Sequence, residues 1–240
     1  DASGPPREIS AAGGWSDVSD RLDLQRFEIK HSSVLSASGS LQAELGDTPR
    51  LTALELALPR TSLSGVYRDY LQSLFLGSPF AHLELEGEVE AQVQWRQDES
   101  GQADIEFHEV NLEDESDNFA IYGLKADLQW SSKGIPAVSR IEWSGGSVYT
   151  LDVGPGVLLG ELQEDQFRLK QTVSIPVLDG RLIVNKLNVD GLGSTLGWQM
   201  SGGLSPVTME TLCHALGWPP FSGTLAGSVP GVDYHEGELT

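Results

Sequence analysis

Residues 82–95 read HLELEGEVEAQVQW. Leu83, Leu85, Val89, Ala91, Val93 and Trp95 share one parity, while Glu84, Glu86, Glu88, Glu90, Gln92 and Gln94 share the other. Successive side chains of a strand point to opposite faces, so this stretch has one oily face and one acidic face. At about 3.3 Å per residue it predicts a strand of roughly 45 Å, far beyond the usual 5 or 6 residues.

The same alternation spreads outward. It begins at Leu22 and Leu24, continues through Leu35, Ala37, Gly39, Leu41, Ala43 and Leu45, and returns at Leu54, Leu56 and Leu58. Downstream it reappears at Ala103, Ile105 and Phe107, then at Tyr122, Leu124, Ala126, Leu128 and Trp130. Further segments run to Val229, joined by short turns such as SSKG, SGG and LDG. Roughly a dozen strands at this spacing predict an antiparallel meander.

Two segments change period. In TSLSGVYRDYLQSLFLGSPF, apolar residues recur every three or four positions from Leu63 to Phe75, predicting a helix near 62–76. In LSPVTMETLCHALGWPP the spacing predicts a second helix near 206–216, with Ser205 as N-cap, Pro206 in the first turn and Gly217 as the stop. The fold expected is therefore mainly β, a long bent antiparallel sheet forming an open groove or half-barrel, with two short helices. Residues 1–18, rich in Gly, Pro, Ser and Ala, read as a lead-in or linker, and 19–240 as a single β-groove domain. The string Gly, any, Leu or Val, any, Ala or Gly recurs from Gly39, Gly87 and Gly223, with each glycine on the apolar parity. Glycine inside a strand marks a bend or a close approach.

Composition narrows function. With 35 acids against 15 bases, the formal charge is −20. That excludes nucleic-acid binding, which depends on Lys and Arg displacing counterions from phosphates. Anionic membrane surfaces are disfavoured for the same reason. No apolar run approaches the roughly 18 residues of a membrane helix. The chain starts at Asp1 and stops at Thr240 within an alternating pattern, and reads as a piece of a longer protein. A single cysteine, Cys213, allows no internal disulfide.

Catalytic constellations are not apparent. His82 and His108, with Glu84 and Glu109 nearby, could be imagined as metal ligands, but they sit on or near the polar face, where solvated side chains are ordinary. Cys213 and His214 are adjacent on a helix, about 100° apart, and do not form a nucleophile and base by themselves. The acidic run EVNLEDESDN (109–118) lacks the ordered oxygen spacing and central glycine of a calcium loop and reads as a turn between strands. VGPGVLLG (153–160) has neither the Lys nor the following helix of a phosphate loop, and no GxSxG occurs. The expectation is a protein that is not an enzyme and needs no cofactor or metal.

The C-terminal stretch WQMSGGLSPVTMETLCHALGWPPFSGTLAGSVPGVDYHEGELT, preceded by SIPVLDGRLIVNKLNVDGLGS, resembles the AsmA-like, TamB-related proteins of Gram-negative envelopes, and most closely their YdbH-like branch. About 100 residues carry the likeness. The resemblance implies a bent sheet whose concave apolar face is a groove for lipid acyl chains, moving phospholipid between inner and outer membranes. It implies a periplasmic portion of an inner-membrane-anchored protein, the anchor lying outside this fragment. Phospholipid or another acyl-chain lipid, the remaining parts of the same longer chain and an outer-membrane partner protein are the implied partners. That branch has also carried a dicarboxylate-transport label, for which this sequence offers no basic anion site. On this reading the groove is lined by Leu83, Leu85, Val89, Ala91, Val93, Trp95, Leu124, Leu128, Trp130 and Leu225. The alternative is a structural or protein-interaction β-module of the envelope whose apolar face is simply its core.

Overall fold

The stretch quoted first folds as strand β5 (Leu83–Arg96), fourteen residues with the expected alternation of exposure. In a computed structural model describing residues 7–16, 20–31, 34–46, 48–75, 80–97, 100–191, 197–235 and 238–239, it sits within one mainly antiparallel sheet. Before it come β1 (Arg7–Ser16), β2 (Arg21–His31), β3 (Leu35–Glu44) and β4 (Arg50–Ser62). After it come β6 (Gln102–Asp114), β7 (Phe119–Ser131), β8 (Val138–Trp143), β9 (Gly145–Val148), β10 (Leu151–Val153) and β11 (Gly156–Gln163). The sheet ends with β12 (Gln166–Leu169), β13 (Val173–Val177), β14 (Gly180–Asp190), β15 (Gly197–Thr208), β16 (Thr224–His235) and β17 (Glu238–Leu239).

From β1 through β7 each strand pairs antiparallel with its chain neighbour, as the short turns require. Beyond β7 the segments fall into longer strands. One register joins β8 to β11 and β9 to β10, so residues 138–148 and 151–161 form a single hairpin around a two-residue turn, Tyr149 and Thr150. Tyr149 there has φ 51°, the left-handed geometry that such turns demand.

Bulges interrupt many strands near mid-length. The register shifts between Leu24 and Phe27 on β2, and between Leu58 and Thr61 on β4, where Pro59 sits. It shifts between Phe107 and Val110 on β6 opposite Gly87, and between Val184 and Lys186 on β14. The break between β8 and β9 falls in the same zone. A bulge adds an unpaired residue and bends its strand, so a row of them creases the sheet along a line crossing the strands. Gly87 (φ 107°) cannot carry a side chain here, because a Cβ would lie 2.7 Å from the Val110 Cα.

Both helical segments leave the sheet at the same rim, between β4 and β5 and between β15 and β16. The first is wound unevenly: an α turn α1 (Leu63–Val66), a π turn (Tyr67–Leu71) and a 3₁₀ turn (Gln72–Phe75). Tyr67 donates its hydroxyl hydrogen to the Phe80 carbonyl (2.5 Å), and the Tyr70 hydroxyl lies 2.9 Å from His31 Nδ1.

The second is α2 (Met209–Leu216), which corrects the expected start. Its N-cap is Thr208, whose side chain accepts from the Thr211 N–H, while Ser205 and Pro206 belong to a bulge of β15. Proline at a bulge costs no ladder hydrogen bond, so its helix-start signal is overridden there. Gly217 ends the helix at φ 66° as expected.

Residues 7–16 also differ from expectation. Read as lead-in, they form β1, with Ile9 opposite Ile29 and Ala11 opposite Phe27. Glycine and serine there hid a short alternating register that β2 supplies. Residues 1–6, 17 and 18 of the same segment lie outside the described residues.

Candidate functional site: the apolar face

Directly paired residues of an antiparallel sheet share a face, so the register traces the surface. Leu56 pairs with Val93, Val93 with Ala103, and Ala103 with Trp130. One row over, Leu58, Ala91, Ile105 and Leu128 follow one another across four strands. Toward the helix rim, Val89 pairs with Phe107, Phe107 with Ala126, Ala126 with Ile141, and Ile141 with Leu158. At the far end Leu182 pairs with Leu204, and Val207 with Leu225. Pairing and bulge parity carry this single apolar face from Ile9 on β1 to Leu225 and Val229 on β16.

The expected lining residues all lie on this face, under different cover. Leu83, Ala91, Val93, Trp95, Leu128 and Trp130 are half-buried. Val89 is 6% exposed and forms a buried cluster with Leu63 of α1 and Val110 of β6, against which Leu85 and Leu124 pack. These three expected lining positions therefore lie at or beside a local core beneath the helical segment. Leu225 stands 43% exposed, beside a small apolar depression of about 190 Å³ shared with Leu182, Met200 and Leu204.

Outside the helical segments, few large apolar side chains of this face are fully covered. Leu41, Leu54, Leu56, Leu58, Leu112, Leu158 and Leu182 are each only half-buried. The buried apolar side chains are mostly Ala and Val. The chain exposes 14929 Å², against about 10,500 Å² for a compact monomer of this length. A second packed layer would have covered these leucines.

Aromatic rings fill the places where glycine thins the face. A Cβ on Gly156 would fall 2.1 Å from the Trp143 ring, one on Gly160 would fall 2.2 Å from Phe167, and one on Gly101 would meet Trp95 and Trp130. Gly39 lies under Phe27 and against the Glu55 carbonyl, the close approach its sequence pattern predicts. Trp130 and Trp143 donate their indole N–H groups to the Glu164 and Gly154 carbonyls.

On the opposite face Glu84 pairs with Glu113, and Glu90 with Glu106, like charges side by side. His108 lies 3.7 Å from carboxylate oxygens of both Glu90 and Glu106. The positive charge among them is Arg60, whose Nη2 is 2.9 Å from both ring nitrogens of His108 and whose guanidinium is 3.9 Å from Glu88 and Glu90. The two histidines considered as metal ligands have separate neighbours. His82 faces Glu115 at 3.7 Å, and Glu109 pairs with Lys125 at 2.6 Å. Asp114 closes the β6–β7 turn by accepting from the N–H groups of Ser116 and Asn118, so that acidic run ends in a self-satisfied turn.

Sequence reasoning did not assign Leu56, Leu58, Ile105, Phe107, Ile141 or Leu158 to the candidate surface. The alternation of Leu56, Leu58, Ile105 and Phe107 was visible, but pairing register is tertiary information.

No protein-family model matches this chain, and no match was found among curated proteins or solved structures.

Proposed function

We propose that this chain binds the acyl chains of lipids along its apolar face and catalyses nothing. The observation that carries the reading is the continuous row of half-buried leucines, valines and tryptophans lacking a second packed layer among the described residues. Burial returns about 25 cal/mol per Å² of apolar surface removed from water, so a flexible hydrocarbon chain is a favourable cover. The acidic face keeps such a sheet hydrated and discourages face-to-face association.

The resemblance to AsmA-like, TamB-related proteins points the same way. It extends the proposal to a segment of a bridge that moves phospholipid between the two membranes of an envelope, working in the periplasm with the rest of a longer chain and an outer-membrane partner. Native mass spectrometry of protein from bacterial cells, followed by organic extraction, tests the reading. Co-purifying lipid, and stoichiometric uptake of fluorescent phospholipid by delipidated protein, are the expected results. Folded protein that takes up none would leave the ligand-free interaction module.

A further inference from the structure

Among the described residues, six aromatic side chains are exposed by more than a third: Phe75, Phe80, Tyr122, Tyr149, Trp218 and Phe221. Five of them belong to the rim from which the two helical segments leave the sheet, whereas Tyr122 stands within β7 on the acidic face, beside Glu113. Phe75 and Phe80 lie in or beside the β4–β5 connection, Tyr149 in the β9–β10 turn, and Trp218 and Phe221 after α2. The exposures are large, 70% for Tyr149, 56% for Trp218 and 58% for Phe221. At the opposite rim Trp95, Trp130, Trp198 and Tyr234 are half-buried, and the most exposed apolar residue described there is Ile135, at 96%.

Part of this rim is continuous. Phe75 meets Phe80 at 6.3 Å and Phe80 meets Phe119 at 6.2 Å, both edge to face. Phe119 pairs with Val148, and the Tyr149 N–H donates to the Asn118 carbonyl, which brings the next turn alongside. The second group, Trp218 and Phe221, stands several strands away on the same rim.

We infer that this rim docks on the interface of a zwitterionic lipid bilayer. Tyr and Trp combine an apolar ring with a polar group and favour the boundary between headgroups and hydrocarbon. A protein partner of ordinary size covers one contiguous patch of about 800 Å², whereas these side chains are divided among separate connections, each of which a lipid surface can meet in turn. Charge selects the kind of bilayer. Glu113, Glu115 and Asp117 stand at the β6–β7 turn of this rim, and the chain carries a net charge of −20, so an anionic surface repels it. This inference concerns a different surface from the proposed groove and does not depend on it.

Flotation with phosphatidylcholine vesicles tests the docking, with retained circular dichroism and Tm as the check on folding. The parent chain floats. Tyr149→Asn, chosen because asparagine tolerates the left-handed turn, and Trp218→Ser each lower the partition coefficient roughly tenfold, the effect of about 60 Å² of aromatic surface no longer leaving water. Ile135→Ser on the opposite rim floats like the parent, and adding phosphatidylserine to the vesicles weakens flotation at low salt. A folded double variant that floats as well as the parent overturns the inference, as does an equal loss from Ile135→Ser. If the two changes alter sedimentation of the free protein and leave flotation intact, the rim contacts a second copy and the bilayer assignment is wrong. Uptake of fluorescent lipid without vesicles reads the groove separately, so either proposal can fail alone.

Discussion

Leu63, the first residue of α1, packs over Val89 in the middle of β5, and with Val110 the two form a fully buried apolar cluster. The helical segment thus covers the stretch of apolar face nearest its own rim, while the same strand four residues on, at Val93, is only half covered. Charge placed at these two positions should have different consequences. Val89→Asp buries an unpaired carboxylate and should unfold the protein or prevent its expression, a cost of several kcal/mol against a stability of about 5–15. Val93→Asp should leave far-ultraviolet circular dichroism and Tm close to the parent while reducing lipid uptake sharply. Val93→Asp protein that loads lipid normally would remove this strand from the proposed groove.

The helical cover can be probed from its own side. Leu63→Ala leaves a cavity above Val89 and Val110 and should cost about 2–5 kcal/mol in urea unfolding. Leu225→Ala, at an exposed position, should cost well under 1 kcal/mol. Equal losses at the two would show that α1 contributes no core.

Glycines on the sheet separate close approach from open space. Gly39→Ala would set a Cβ 1.9 Å from the Glu55 carbonyl oxygen and should destabilise by about 1–3 kcal/mol. Gly227→Ala meets nothing within 4 Å and should be near neutral. Thermal denaturation of the two variants checks the contrast.

Arg60 stands among Glu88, Glu90 and His108 on the acidic face. Its guanidinium is half exposed, so Arg60→Gln should cost only about 0.5–1 kcal/mol in low salt, with the deficit shrinking as screening rises. A deficit independent of salt would mean that Arg60 acts through packing.

Asp179 gives a pH dependence of known sign. The Thr208 hydroxyl hydrogen bond holds its carboxyl below the ordinary value of 3.8, with the Thr208 N–H adding to the effect against a smaller opposing desolvation. A carboxylate with a lowered folded pKa contributes stability above its unfolded pKa and loses it as pH falls through the folded one. Asp179→Ala should therefore lower Tm at pH 7, and the gap to the parent should close as pH drops below about 4. A gap that widens in acid would contradict the assignment.

The sequence by itself determined most of the strands after β1, their two faces and the two breaks in period. Strict alternation over 82–95 has one backbone solution that separates oil from charge, and it became β5. The three- and four-residue spacing of Leu63, Val66, Tyr67 and Tyr70 likewise required a helical turn. Parity along each strand was legible because it is local, and the pairing register then joined the expected lining residues of β5, β7 and β16 on one face. Which of them lie open was decided by tertiary structure. Val89 and Val93 have the same parity and similar neighbours in sequence, and they differ because α1 folds back over one of them. Pro206 likewise carries a helix-start signal in its local sequence, and only the pairing of β15 with β16 makes it part of a bulge. The crease through Gly87, Pro59 and Asn185, and the gathering of exposed aromatics on one rim, depend on register between strands, which a one-dimensional pattern does not contain.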